Sequence, residues 1–160
     1  MITAKLTQGK NCSISKNALI GFKEHGGEII LGNNVVIRHG VILRTCTGII
    51  KIGNNTIINY HCIMHGLGGI IIGNDVVFSP YVQVYAQNHG ILKDKLIREQ
   101  KNTGKGVVIG NDVWIGAGVI ITDGVTVQTG SVIGAGSIVT KDIGSYEIWV
   151  GNPAKKIGDR

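Results

Sequence analysis

Four copies of one phrase, Leu31-Gly-Asn-Asn-Val-Val, Ile52-Gly-Asn-Asn-Thr-Ile, Ile72-Gly-Asn-Asp-Val-Val and Ile109-Gly-Asn-Asp-Val-Trp, start 21, 20 and 37 residues apart. Within the first three copies an apolar residue returns every six positions: Leu31, Ile37, Leu43; Ile52, Ile58, Met64; Ile72, Phe78, Val84. After the fourth copy the period continues without a slip through Ile109, Ile115, Ile121, Val127, Ile133 and Val139. Four residues after most of these stands a small or β-branched residue, such as Val35, Val41, Thr47, Thr56, Cys62, Val76, Val82, Val113, Val119, Val125, Ser131, Ser137 and Ile143. Two phases of each hexad therefore look inward. A helix of 3.6 residues per turn cannot hold a six-residue pattern on one face, and a flat strand alternates every two. The chain must turn every six residues. Three short strands and three tight corners per coil give an all-β triangular solenoid, with Gly and Asn supplying the positive φ of the corners. A coil of 18 residues leaves the spacings of 20 and 21 as small bulges, and the spacing of 37 as one protruding loop at about 89–106. The whole chain, 1–160, reads as a single β-helix domain ending in a C-terminal segment, 144–160.

Composition supports strands. Ile and Val number 27 and 16, whereas Ala and Leu number only 6 and 7, so β-branched residues dominate the best helix formers. The 25 glycines come with only 2 prolines and no Gly-X-Y triplet, which excludes collagen. With 43% hydrophobic residues, disorder is excluded as well. No apolar run approaches the length of a membrane span or signal peptide, so stable membrane insertion is not expected and a cytoplasmic location is. Cys12, Cys46 and Cys62 are odd in number and lack C-x-x-C spacing, as befits a reducing compartment. The net charge of +6 is scattered without interleaved aromatics, which argues against nucleic acid as a partner.

Five histidines, His25, His39, His61, His65 and His89, are sorted by phase. Val84 opens a hexad, so His89 falls on an outward phase where the regular coil gives way to the loop. An exposed imidazole beside a protruding loop suits proton transfer. His61 and His65 also point outward as an H-x-x-x-H pair, open to acceptor binding, to a metal or to neither; no third ligand is specified and no metal is expected.

The hexads resemble those of the hexapeptide-repeat acyltransferases over about 14–157. The resemblance implies a left-handed parallel β-helix and a homotrimer about an axis parallel to the coils. Val82-Gln-Val-Tyr-Ala-Gln-Asn-His89 is placed like the catalytic histidine segment of maltose- and galactoside-type sugar acetyltransferases. By that likeness His89 is the general base, and Asn59, with His61 and His65 nearby in sequence, belongs to the acceptor side. The stretch Val113-Trp-Ile-Gly-Ala-Gly, then Val132-Ile-Gly-Ala-Gly-Ser-Ile-Val-Thr-Lys, then Val150-Gly-Asn-Pro-Ala-Lys looks like the coenzyme-A-binding end of the same enzymes. Carried over, Ala117 and Ala135 line the pantetheine arm, an amide near Gly116 faces the oxyanion, and Thr140, Lys141 and Lys155 lie near the phosphates. Trp114 packs either on the cofactor or on a trimer contact.

The implied activity is acetyl transfer from acetyl-CoA to a sugar hydroxyl, in surface polysaccharide or lipopolysaccharide assembly. N-acetylation of a nucleotide-linked amino sugar is the enzymatic alternative, and a noncatalytic hexapeptide-repeat scaffold the alternative of another class. The chain departs from the maltose and galactoside enzymes in two places. Met1 to Ser15 does not read as their helical acceptor-binding segment, which leaves acceptor identity open, and Gly158 stands where a basic residue is common, so that Arg160 is expected to take its phosphate contact.

Overall fold

The computed structural model describes residues 4–21 and 26–160; His25 lies outside them. The chain winds into about six coils of a parallel solenoid with three sheets, the architecture the hexads require. The first sheet stacks Lys5–Gln8, Glu28–Leu31, Ile49–Ile52, Ile70–Ile72, Val107–Ile109 and Thr126–Val127. The second stacks Ser13–Ile14, Val36–Ile37, Ile57–Ile58, Val77–Phe78, Trp114–Ile115, Val132–Ile133 and Glu147–Gly151, with Ala154–Asp159 added antiparallel at its end. The third stacks Leu19–Ile20, Ile42–Arg44, Ile63–His65, Gln83–Tyr85, Ile120–Ile121 and Ile138–Val139.

Register places the hexad residues in columns. Leu31, Ile52, Ile72, Ile109 and Val127 are successive partners in the first sheet. Ile37, Ile58, Phe78, Ile115 and Ile133 follow in the second, and Leu43, Met64, Val84, Ile121 and Val139 in the third. All of these are at most 3% exposed. A fully buried aliphatic side chain contributes about 1.5–3 kcal/mol, so the stacked columns supply the main driving force for coiling. The second inward phase is filled by Val35, Val41, Thr56, Cys62, Val76 and Val82, and later by Val113 to Ile143. Thr47 departs from its expected inward place. It is exposed with φ +102°, and Thr45 is buried instead, its hydroxyl donating to the Gly26 carbonyl at 2.8 Å. The corner is longer there, so the inward phase is met two residues early.

The first corner, between the first and second sheets, explains why Gly-Asn-Asn/Asp recurs. Asn34, Asn55, Asp75 and Asp112 turn the chain at φ between 53° and 59°, a left-handed conformation that Asn and Asp tolerate. The preceding asparagines knit the coils: the amides of Asn33, Asn54 and Asn74 donate to the Oδ1 atoms of Asn54, Asn74 and Asn111 at 2.7–2.8 Å. Asn34 Nδ2 donates to Asn55 Oδ1, and Asn55 Nδ2 to Asp75 Oδ1. The leading glycine makes room, since a Cβ on Gly32 would stand 2.7 Å from Asn54 Oδ1.

Candidate active site

The third corner, between the third sheet and the next coil's first sheet, is where the hexads slip. One coil bulges at Thr45–Gly48, the next at Gly66–Gly69, and the third sends out the long loop between Tyr85 and Val107. Arg44 and Ala86 carbonyls accept from the Gly66 and Gly68 amides at 2.7 and 2.8 Å, so the bulges stack on one another. The returning chain passes close enough that a Cβ on Gly104 would stand 2.5 Å from the Ala86 carbonyl and 2.6 Å from the Gly68 nitrogen. Beneath this corner a groove of about 500 Å³ opens over the first sheet, lined by Thr47, Ile49, Leu67, Ile71, Lys105 and Val108 among others.

His89 leaves this corner exposed, at the root of the loop. Its neighbour Asn88 exchanges both backbone hydrogen bonds with Thr103, at 2.6 and 2.9 Å, which closes the loop into a ribbon. Farther out Gln100 ties the ribbon to itself: its Oε1 accepts from the Leu92 amide, and its Nε2 donates to the Leu92 and Lys95 carbonyls, all within 3.0 Å. A single turn of 3-10 helix, Ile97–Glu99, forms the tip region. Ile91, Leu92, Leu96 and Ile97 remain largely exposed on it.

The expected His61/His65 pair is split. His61 sits at the second corner, between the second and third sheets, at φ 58° and stacked on Tyr81 with ring centroids 5.3 Å apart. His65 ends the third-sheet strand and shares the third corner with His89, its Nδ1 3.3 Å from Gln87 Nε2 and its ring edge-on to Tyr85. A strand lies between the two imidazoles, so they do not converge on one ion. No group of three metal-ligating side chains occurs among the described residues.

Asn59 is half-buried at the start of the second corner, with its Nδ2 donating to the Phe78 carbonyl at 2.8 Å. It therefore stands one side of the prism away from His89 of the same chain. Ala117 and Ala135 are exposed and stacked at that second corner, where the Gly136 amide donates to the Ala117 carbonyl at 2.8 Å. Gly116 is buried and its amide is committed to the Ile133 carbonyl at 2.8 Å. The neighbouring Ala117 amide lies at the exposed tip of the same corner. Trp114 projects from the second sheet, 54% exposed, its indole N–H donating to Ser79 Oγ. Thr140 and Lys141 follow the last third-sheet strand, at the third corner, while Lys155 is exposed on the closing antiparallel strand.

Arg160, expected to make the phosphate contact in place of Gly158, lies at the closing strand's end. Its guanidinium is held at the first corner by Asp112 Oδ2 at 2.8 Å and by the Asp112 and Gly130 carbonyls. Cys62 is buried, which pushes its thiol up to about 11 and keeps it protonated at neutral pH. Sequence reasoning missed Asp123, whose carboxylate meets both ends of the loop. Its visible signal was the pairing of the glycine clusters Gly66-Leu-Gly-Gly69 and Gly104-Lys-Gly106, which mark two chain segments in close approach.

Residues 106–141 match the family model described as bacterial transferase hexapeptide (six repeats). A mutant of AntD, an N-acyltransferase from Bacillus cereus in complex with dTDP and coenzyme A, is similar at 30% identity, covering 96% of this chain and 83% of that one, with a TM-score of 0.83. Another AntD mutant, in complex with dTDP-4-amino-4,6-dideoxyglucose and coenzyme A, aligns at 27% identity over 98% of this chain and 83% of that one, TM-score 0.72. A maltose O-acetyltransferase from Clostridium difficile 630 shares 34% identity, covering 94% of this chain and 67% of that one, with a TM-score of 0.68. A hexapeptide-repeat-containing acetyltransferase from Vibrio cholerae O1 biovar eltor, complexed with acetyl coenzyme A, shares 34% identity over 69% of this chain and 60% of that one, TM-score 0.65. With identity at this level kept over nearly the full length of the solenoid, the chain belongs to the hexapeptide-repeat acyltransferase family.

Proposed function

We propose that this acyltransferase moves an acetyl group from acetyl-CoA to a sugar hydroxyl, in the cytoplasm and in the service of surface polysaccharide or lipopolysaccharide assembly. The observation that carries the reading is His89, an exposed imidazole at the root of the arm that leaves the third corner, the corner whose bulges and returning chain border the groove over the first sheet. A neutral imidazole takes the proton of the acceptor hydroxyl as its oxygen attacks the thioester carbonyl. The C–O bond forms, the C–S bond breaks, and the proton passes to the departing thiolate. No covalent enzyme intermediate is needed. Coenzyme A or acetyl-CoA held by the relatives supports the donor, and the maltose O-acetyltransferase supports a sugar acceptor.

The functional unit in this reading is a homotrimer. Asn59, Ala117 and Ala135 occupy the second corner and His89, Thr140 and Lys141 the third, so a site using both sets takes them from neighbouring copies. The outer faces of the second and third sheets support such contacts: Val77 and Trp114 on one, and Leu19 on the other, are exposed apolar residues in columns with Val36, Ile57, Ile42, Ile63 and Ile120. Across such a boundary the Ala117 amide faces the oxyanion, and Lys141 and Lys155 meet the phosphates. His61 and His65 serve at most one each of the two corners.

AntD favours a second reading, N-acetylation of a nucleotide-linked amino sugar with the same donor. A screen of sugars and nucleotide sugars for thiol release tests donor, acceptor and enzyme status together. Hydroxylamine-labile product means an ester and a stable product an amide. His89→Ala should lower turnover about a thousandfold while leaving assembly intact; unchanged turnover would move the base elsewhere.

A further inference from the structure

The side chain of Asp123 belongs to the coil after the loop, in the turn Thr122-Asp-Gly124. Its Oδ1 accepts from the Lys105 amide at 2.8 Å and the Gly106 amide at 2.9 Å, where the loop returns. Its Oδ2 accepts from Asn88 Nδ2 at 3.0 Å, where the loop departs. One carboxylate thus clasps both feet of the ribbon, and the upper foot is the residue before His89. Hydrogen bonds to an ionised acceptor are about twice as strong as neutral ones. The clasp is reinforced by the Asn88–Thr103 pair above it and by the Gly104–Gly68 approach beside it.

We infer that Asp123 is a positioning residue for His89: by holding Asn88 against the returning chain it fixes the backbone from which the imidazole projects. The inference rests on the reading of His89 as base. It also assigns the loop a character, that of a preformed arm strapped to the next coil and knotted by Gln100 rather than a hinged lid. Asp123 touches no reacting atom. Its effect falls on the chemical step, because a displacement of about 1 Å at a catalytic group costs on the order of a hundredfold in rate.

The test compares Asp123→Ala, Asn88→Asp and the exchange Asn88→Asp/Asp123→Asn in the intact protein. In the exchange, the amide oxygen at 123 still accepts from the Lys105 and Gly106 amides, while its nitrogen donates to the new carboxylate at 88. Asp123→Ala should lower kcat about tenfold to a hundredfold with KM for acetyl-CoA changed by less than about twofold. Asn88→Asp, which sets two carboxylates face to face, should do likewise, and the exchange should restore most of the loss. In a His89→Ala background Asp123→Ala should add nothing, as expected of residues acting as a unit. Undiminished kcat in Asp123→Ala, multiplying losses with His89→Ala, or an exchange no better than its single variants would each overturn the inference. Full turnover in His89→Ala alone would sink the base reading instead. Hydrogen exchange at the Lys105 and Gly106 amides would then judge the clasp, faster exchange in Asp123→Ala upholding it and unchanged exchange refuting it.

Discussion

The first and third corners of the prism are built from the same chain under the same period, yet they solve opposite problems. At the first, one residue type at one position lets each coil hydrogen-bond to the next through side chains, so every turn resembles the last. At the third, successive coils differ in length, and glycines let unequal bulges pass within contact of one another. Regularity at the first keeps the stack in register, and that register is what permits irregularity at the third. The protruding arm, and the groove of about 500 Å³ beside it, arise where the repeat is broken. In a solenoid, then, repeated polar residues mark scaffold, and polar residues that occur once beside a slip in the period mark the site.

Breaking the third corner should have the largest effect. Gly104→Val forces a branched side chain against the Ala86 carbonyl and the Gly68 backbone, neither of which is the yielding end of a flexible side chain. The arm must lift, carrying Asn88 and His89 with it. Turnover should fall about a hundredfold, while the circular dichroism of the strands stays that of the wild type because the columns are untouched. Retained turnover would mean that the arm's path is immaterial to the chemistry.

Breaking the first corner should be milder and fall on stability alone. Asn54→Ala removes the acceptor of the Asn33 amide at 2.8 Å and leaves that amide to water. The expected cost is about 1 kcal/mol, a fall in Tm of about 2–4 °C, with kcat unchanged. A kcat that drops with Tm would couple the two corners and undo the distinction drawn between them.

The same distinction governs what could be read in advance. Every apolar hexad residue from Leu31 to Val139 lies in the core, because a column needs its apolar residue at each coil and period alone reveals it. Thr47 failed that rule where the period slips, and Thr45 took its place. Phase also told that His61 and His65 face outward, but not that a strand parts them onto different corners, since an outward phase recurs at every side. Asp123 had no periodic signature. Its partners Asn88, Lys105 and Gly106 are 35, 18 and 17 residues away, and their meeting depends on the path of a loop that no repeat describes. The place of Arg160 was hidden for a related reason, because the antiparallel turn of the last strand carries it back to Asp112 at the first corner.

That closing strand offers the smallest and sharpest probe. Glu147 accepts from Lys156 Nζ at 3.0 Å, the Trp149 indole N–H at 2.8 Å and the Gly144 amide at 2.8 Å, and Lys156 also pairs with Asp159 at 2.7 Å. The hydrogen bond from Lys156, then those from Trp149 and Gly144, hold the Glu147 carboxyl below its ordinary value; hydrogen bonds to Asp159 and then Glu147 raise Lys156. A depressed carboxyl stabilises the fold above its unfolded pKa, about 4.3, and that contribution is lost as pH falls through the folded value. A raised lysine contributes below about 10.4 and ceases to do so as pH climbs through its folded value. Both groups are solvated, so the effect on global stability is small. Locally it is readable: the Trp149 indole proton resonance should shift in a single step as the pH falls through the lowered Glu147 value, and hydrogen exchange should quicken at the Tyr146 carbonyl's partner, the Arg160 amide. The Gly66 and Gly68 amides at the third corner, which donate to the Arg44 and Ala86 carbonyls and to no carboxylate, should keep their protection over the same step, because the fraying starts at the end of the first corner. Loss of protection at both ends together would show the solenoid yielding as one body rather than corner by corner.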